Sequence, residues 1–171
     1  HRARLEEIAT HYPPARRRSA LLPALYLVQK QQGSLSRRAM EHVSQVIGVT
    51  PAEVEDVVSS YTMFYAQPVG KYVLQVCRTL SCALNGAERV TDVLSRKLGI
   101  KPGETDPTGT FTLLEVECLG ACDRAPVVMV NDAWHECLGP DDAAKLVADL
   151  RARGEGALSG CFHAIEKKGT P

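Results

Sequence analysis

The chain has 171 residues, and its 20 basic and 20 acidic side chains cancel with histidine neutral. A balance of this kind leaves no electrostatic footprint for nucleic acid or an anionic membrane. The longest apolar stretch, around Leu21 to Val28, contains Pro23 and falls far short of the ~20 residues needed to cross a bilayer. The length suffices for one good core, or one core with a helical appendage. The chain begins at His1 without Met and shows no apolar secretory segment, which reads as a trimmed N-terminus.

The first predicted elements are helical. Arg2 to His11 carries Leu5, Ile8 and Ala9 on one face, and Pro13-Pro14 ends the run. A second helix is predicted from about Ala15 to Gln32, with Leu21, Leu22, Leu25 and Val28 or Gln29 in a stripe and Gly33 as its stop. Pro23 inside that pattern calls for a kink, or for a start near Ser19. A third helix, from about Ser36 to Ile47, carries Ala39, Met40, Val43, Val46 and Ile47 and closes at Gly48. The clearest start signal is Thr50-Pro51-Ala52-Glu53: a capping threonine, a proline at the first helical position, and a glutamate placed to reach back. Val54, Val57, Val58 and Tyr61 form the expected buried face of the fourth helix. Helix faces alone do not identify what they bury against. Docking onto a larger partner and covering one side of the chain's own domain are both compatible with this region. Tyr61, Phe64 and Tyr65 read as core or interface. No GxGxxG or P-loop occurs, so no nucleotide site is expected on this chain.

Two strands follow, Lys71 to Val76 and Phe111 to Glu117, rich in β-branched or aromatic residues. Between them, Ala83 to Leu98 has Leu84, Ala87, Val90, Leu94 and Leu98 at helical spacing, with Gly99 as the stop. That places Cys82 at or near a helix N-terminus, where free N–H groups and the dipole favour a thiolate. Gly86 within the pattern points to close approach by backbone or by a bound cluster. Lys101 to Gly109 is a loop. Pro126 to Val130 and Ala133 to Cys137 form an antiparallel hairpin around Asn131-Asp132. Pro140-Asp141-Asp142 opens a last helix with Ala143, Val147 and Leu150 inward, ending near Gly154, and the tail from Glu155 is irregular. Strand, helix, strand, hairpin, helix is the order of a thioredoxin-like α/β sandwich.

Four of the six cysteines form two close pairs, each just past a predicted strand: Cys77 and Cys82 bracket four residues, Cys118 and Cys122 three. If the strands are parallel neighbours, the four thiols converge at one sheet edge, which is the ligand count of an iron–sulfur cluster or a closed zinc site. Zinc knuckles usually place two residues between ligands, the C-x-x-C redox motif is absent, and so are the compact runs that hold cubane clusters. Wider loops from two separated segments suit a two-iron rhomb, each pair holding one iron. A structural zinc site and a thiol–disulfide oxidoreductase use the same four cysteines and stand as alternatives. The five histidines are scattered outside both loops, which disfavours a Rieske centre, and His135 reads as a surface or core residue. Glu115 and Glu117 alternate along a strand and read as one solvated face. Cys137 and Cys161 are left over. They are either separate thiols or a disulfide closing 24 residues of chain, which would stabilise by roughly 3 kcal/mol if unstrained.

The run Val76-Cys77-Arg78-Thr79-Leu80-Ser81-Cys82 with Gly86, and Val116-Glu117-Cys118-Leu119-Gly120-Ala121-Cys122 with Ala125-Pro126 and Val130-Asn131-Asp132, resembles the E-type, thioredoxin-like [2Fe–2S] subunits of NADH:quinone oxidoreductase, respiratory complex I. The likeness extends over nearly the whole chain. One departure is Ser81, where many members carry proline; it bears on loop stiffness more than on ligation. The resemblance implies an α+β chain with an N-terminal helical bundle (1–66), a thioredoxin-like α/β domain (67–154) and a C-terminal tail (155–171). It implies one [2Fe–2S] cluster on Cys77, Cys82, Cys118 and Cys122, and a one-electron carrier that is not catalytic alone. The implied partner is a flavoprotein subunit holding FMN and the NADH site, with further peripheral-arm subunits around it. The implied location is peripheral, on the cytoplasmic side of the inner membrane or the matrix side if mitochondrial, without insertion. The equivalent diaphorase subunit of an NAD-linked hydrogenase or formate dehydrogenase is the runner-up.

Overall fold

In a computed structural model of the chain, residues 2–158 are described, and the chain divides into two compact units between Val69 and Gly70. The first unit holds α1 (Arg2–Thr10), α2 (Leu21–Gln32), α3 (Arg37–Ile47) and α4 (Pro51–Ser60), with a 3-10 segment, Pro14–Ala20, ahead of α2. Local chemistry sets the boundaries. The Ser36 hydroxyl accepts from the Ala39 N–H at 3.3 Å and caps α3. Thr50 and Glu53 form the expected capping box, the Glu53 carboxylate accepting from the Thr50 N–H at 2.9 Å. Leu5, Leu25, Val43, Ile47 and Val54 meet in an apolar core, each fully buried leucine contributing roughly 1.5–3 kcal/mol.

Two predictions for this unit are corrected. The second helix does not run on from Ala15, because Arg16 takes non-helical angles (φ −124°, ψ 23°) and the α-helix begins only at Leu21. Pro23 thereby falls in the first turn, where its missing N–H has no bond to make: of the two alternatives, a kink or a start near Ser19, the helix takes a late start, two residues beyond Ser19. Tyr61 is exposed rather than on the inner face of α4. The helix stops at Ser60 and Tyr61 adopts extended backbone (φ −104°, ψ 115°), so the helical phase that would bury it is lost.

The second unit is a four-stranded sheet of order β2-β1-β3-β4, formed by β1 (Tyr72–Cys77), β2 (Phe111–Val116), β3 (Val128–Val130) and β4 (Ala133–His135). β1 and β2 are parallel neighbours, with Tyr72 opposite Phe111 and Cys77 opposite Val116. β1 is antiparallel to β3, which turns back into β4. The turn is tied to β1 by Asn131, whose carboxamide oxygen accepts from the Val73 N–H at 2.9 Å and whose Nδ2 donates to the Lys71 carbonyl at 3.1 Å. Helices α6 (Ala87–Leu98) and α7 (Pro140–Arg153) join the sheet in one core around Leu74, Val90, Leu94, Leu113 and Leu150. A mixed sheet with helices packed on it is the α+β, thioredoxin-like arrangement that the element order implies.

The helix predicted over 83–98 is two helices. A short α5 (Leu80–Leu84) precedes α6, and Gly86 between them has φ +91°, a region L side chains rarely adopt. That conformation, rather than close approach of backbone, accounts for the glycine: an added Cβ would meet the flexible Arg89 side chain, at 3.0 Å. The break also turns Leu84 outward. Predicted on the inner face, it is 78% exposed, and Leu80 is 73% exposed. β4 ends at His135, short of the predicted Cys137, which has φ +50° and leaves the extended course. Gly154–Ala157, which overlaps the start of the tail predicted from Glu155, forms a 3-10 turn rather than irregular chain. Cys137 is an exposed thiol; Cys161, its proposed disulfide partner, lies outside the described residues. Among the described residues no helix is long and apolar enough to cross a membrane.

Candidate metal centre

Cys77 is the last residue of β1, and Cys118 follows β2 by two residues, so the in-register parallel pairing brings both to the carboxyl edge of the sheet. The ladder continues one step further, the Arg78 N–H donating to the Val116 carbonyl at 3.0 Å. The Arg78 guanidinium then donates twice to Glu117 Oε1, at 2.7 and 3.1 Å, and joins the two cysteine loops. That ion pair is not apparent from the strand pattern, which assigns Glu117 to a solvated face. Its sequence signal was the opposite charges beside the first cysteine of each pair. Exposed on both sides, the pair orients the loops more than it stabilises them.

Cys82 is the third residue of α5, and Cys122 opens a 3-10 turn, Cys122–Arg124. Cys77 and Cys82 are buried; Cys118 and Cys122 are exposed. The thiols stand as an inner and an outer pair. Cys77 and Cys82 are hydrogen-bonded, and the outer sulfurs lie 3.7 Å apart. Charge on Cys77 and on Cys122 is felt across the pairs. The four thiols expected at one sheet edge thus stand there as two pairs. Among the described residues no three Cys, His, Asp or Glu side chains come close enough to hold a single metal ion.

Donors surround the sulfurs. Gly120, in the left-handed region at φ +83°, turns its N–H onto Cys118 Sγ at 3.3 Å. The N–H groups of Leu119 and Thr79 reach Cys77, and that of Val127 reaches Cys82. Thr79 Oγ1 lies 3.2 Å from Cys77 Sγ. Burial works against ionisation of Cys77, but the Thr79 hydroxyl and the two N–H groups hold its pKa below the usual thiol range. The Gly120 N–H, then Cys122 and Thr79, hold Cys118 down. Burial, with Cys77 beside it, pushes Cys82 up to about 11, and Cys118 pushes Cys122 up. The expectation that a helix N-terminus makes Cys82 the thiolate is corrected: α5 has only five residues, the sulfur is buried, and Cys77 is the acidic member of the inner pair.

The donor set fits a [2Fe–2S] cluster. Four thiols stand as two pairs at one sheet edge, each pair placed to hold one iron, and donors directed at sulfur, such as the Gly120 N–H on Cys118, are the outer partners such clusters use. A tetrahedral zinc cage would instead need all four sulfurs around one point. His135, predicted as a surface or core residue, is buried. A cleft of about 480 Å³ in the first unit, lined by Leu5, Leu27, Val28 and Ala39 with Arg38 and His42, includes none of the cysteines.

A family profile described as thioredoxin-like [2Fe-2S] ferredoxin matches residues 5–151. The chain is 46% identical over 149 residues to NADH-quinone oxidoreductase subunit 2 of Thermus thermophilus, spanning 86% of this chain and 82% of that protein. It is 44% identical over 151 residues to an E-type NADH-quinone oxidoreductase subunit of Rhizobium meliloti, spanning 88% and 87%. Among solved structures, an NAD+-reducing [NiFe]-hydrogenase in the H2-reduced state matches with a TM-score of 0.66 over 76% of this chain and 22% of that one; at 19% identity this is a likeness of fold.

Proposed function

Since the chain belongs to the thioredoxin-like [2Fe–2S] ferredoxin family, we propose that Cys77, Cys82, Cys118 and Cys122 hold one [2Fe–2S] cluster, and that the protein is a one-electron carrier exchanging electrons with the FMN of a flavoprotein partner in an NADH:quinone oxidoreductase. The observation that carries this reading is the pairing of four thiols, with the Gly120 N–H directed at one of them, at the carboxyl edge of two adjacent parallel strands. Such a cluster takes up and releases a single electron without transfer of atoms. The chain's own residues have simpler tasks. Cys77 and Cys82 keep one side of the site away from water, while Cys118 and Cys122 leave the other open to a partner. Leu80 and Leu84, exposed on the helix that carries Cys82, offer that partner an apolar contact.

FMN and NADH are assigned to the partner, because no nucleotide-binding motif occurs in this sequence. Residues 1–66 are assigned to a helical bundle that docks with neighbouring peripheral-arm subunits, 67–154 to the cluster domain and 155–171 to a tail. The assembly is placed at the membrane surface, on the cytoplasmic or matrix side. Relatives at 46% and 44% identity favour this complex over an NAD-linked hydrogenase or formate dehydrogenase.

The test is metal analysis and EPR of anaerobically purified protein. The expected result is the iron and labile sulfide of one cluster per chain, with a spin-half signal after one-electron reduction. Zinc without iron would overturn the reading.

A further inference from the structure

Thr79 stands where a helix-capping residue belongs. It directly precedes α5 with extended backbone angles (φ −75°, ψ 168°), and a threonine there ordinarily turns its hydroxyl onto the helix's own free N–H groups. Ser36 and Thr50 do this at the starts of α3 and α4. Thr79 does not. It makes no side-chain capping bond; its Oγ1 lies instead 3.2 Å from Cys77 Sγ.

We propose that Thr79 is a positioning residue for the cluster, its hydroxyl diverted from capping α5 to donate to ligand sulfur, and that this bond raises the cluster's reduction potential. The proposal rests on the reading that the four cysteines hold the cluster. A ligating thiolate has no proton, so the direction of the bond is fixed: Oγ1–H donates and Cys77 Sγ accepts. One-electron reduction adds negative charge that the sulfurs share. A hydrogen bond to sulfur strengthens with that charge and therefore favours the reduced form. Because the hydroxyl does not cap α5, its loss leaves the helix N-terminus as it was. Tuning and capping therefore predict different readouts.

The experiment compares the holoprotein with Thr79→Val, Thr79→Ala and Thr79→Ser. Iron content and the EPR signal of the wild type are measured first; their absence would sink the cluster reading itself, before Thr79 is at issue. Spectroelectrochemical titration follows. The expected result is a more negative potential in Thr79→Val and Thr79→Ala, with the ratio of reduced to oxidised cluster at fixed ambient potential down several-fold, where tenfold is about 59 mV for one electron. Thr79→Ser should keep the wild-type potential, and thermal midpoints should not move. A potential unchanged in Thr79→Val, or shifted equally in Thr79→Ser, would overturn the proposal. If both hydroxyl-free variants lose the cluster, ENDOR of the reduced wild type after brief exposure to D2O decides. A rapidly exchanged deuteron coupled to the spin, distinct from slowly exchanging buried amides, supports the hydroxyl bond; its absence overturns it.

Discussion

At the level of single residues, burial acts in opposite directions on groups of opposite charge type. It raises Cys82 and lowers His135, in each case by disfavouring the charged form. His135, on β4, is 8% exposed, and burial is the cause of its lowered pKa. In the unfolded chain an imidazole takes up its proton near pH 6.5, whereas the folded one stays neutral to lower pH. Between those values the unfolded state binds more protons, so stability is fully present above about pH 6.5 and is lost as pH falls through the window. The urea midpoint of the holoprotein should fall between about pH 7.5 and about pH 5.5, and it should fall less in His135→Gln. Equal falls in the two proteins would remove His135 as the cause.

Among the elements, the starts of α4 and α5 are a matched contrast. Thr50 satisfies α4's free N–H groups and is answered by Glu53, whose carboxyl is held below its usual range first by the Thr50 N–H and then by its hydroxyl. Thr50→Ala should therefore destabilise the protein by about 1 kcal/mol. Thermal unfolding and hydrogen exchange of the α4 amides would show it, while the cluster's potential should stay put. The Glu53 part of this stability is present above the ordinary carboxylate range and is lost as pH falls through its depressed pKa. A Thr50→Ala protein with wild-type exchange in α4 would mean that packing of Val54 and Val58, not the cap, holds that helix.

For the complete protein, the expectation is that electrons reach the cluster only through a partner. NADH should not reduce the isolated holoprotein, and reduction should appear when the FMN-bearing subunit is added. Leu80→Ser with Leu84→Ser should weaken that association at least tenfold, about 1.4 kcal/mol, by removing the exposed apolar pair beside the site. Iron content and the EPR signal should be unaltered, since neither side chain is part of the core. Reduction by NADH without the partner would refute the division of labour. Undiminished affinity in the double variant would move the contact elsewhere on the chain.

What depends on near neighbours was legible in the order of amino acids. The cysteine spacings, the Thr50-to-Glu53 box, the glycine stops at Gly33, Gly48 and Gly99 and the strands ending near Cys77 and Val116 are set by residues within a few positions of one another. The element order and the motifs together also carried the fold class and the family resemblance. Contacts between distant segments set the rest. Helical spacing ran unbroken across Gly86, because periodicity records which side chains are apolar and not the positive φ that splits α5 from α6 and exposes Leu84. The helix-dipole argument chose Cys82 as the acidic thiol, because local sequence shows neither its burial nor the donors from Leu119, 42 residues beyond Cys77 along the chain. Thr79 carried a capping residue's position and identity, and only the folded backbone shows its hydroxyl turned back onto Cys77 Sγ, two positions earlier, instead of onto α5. Hydrogen bonds and desolvation act through space over a few ångströms, whereas sequence patterns report distance along the chain, and at this sheet edge the two diverge most.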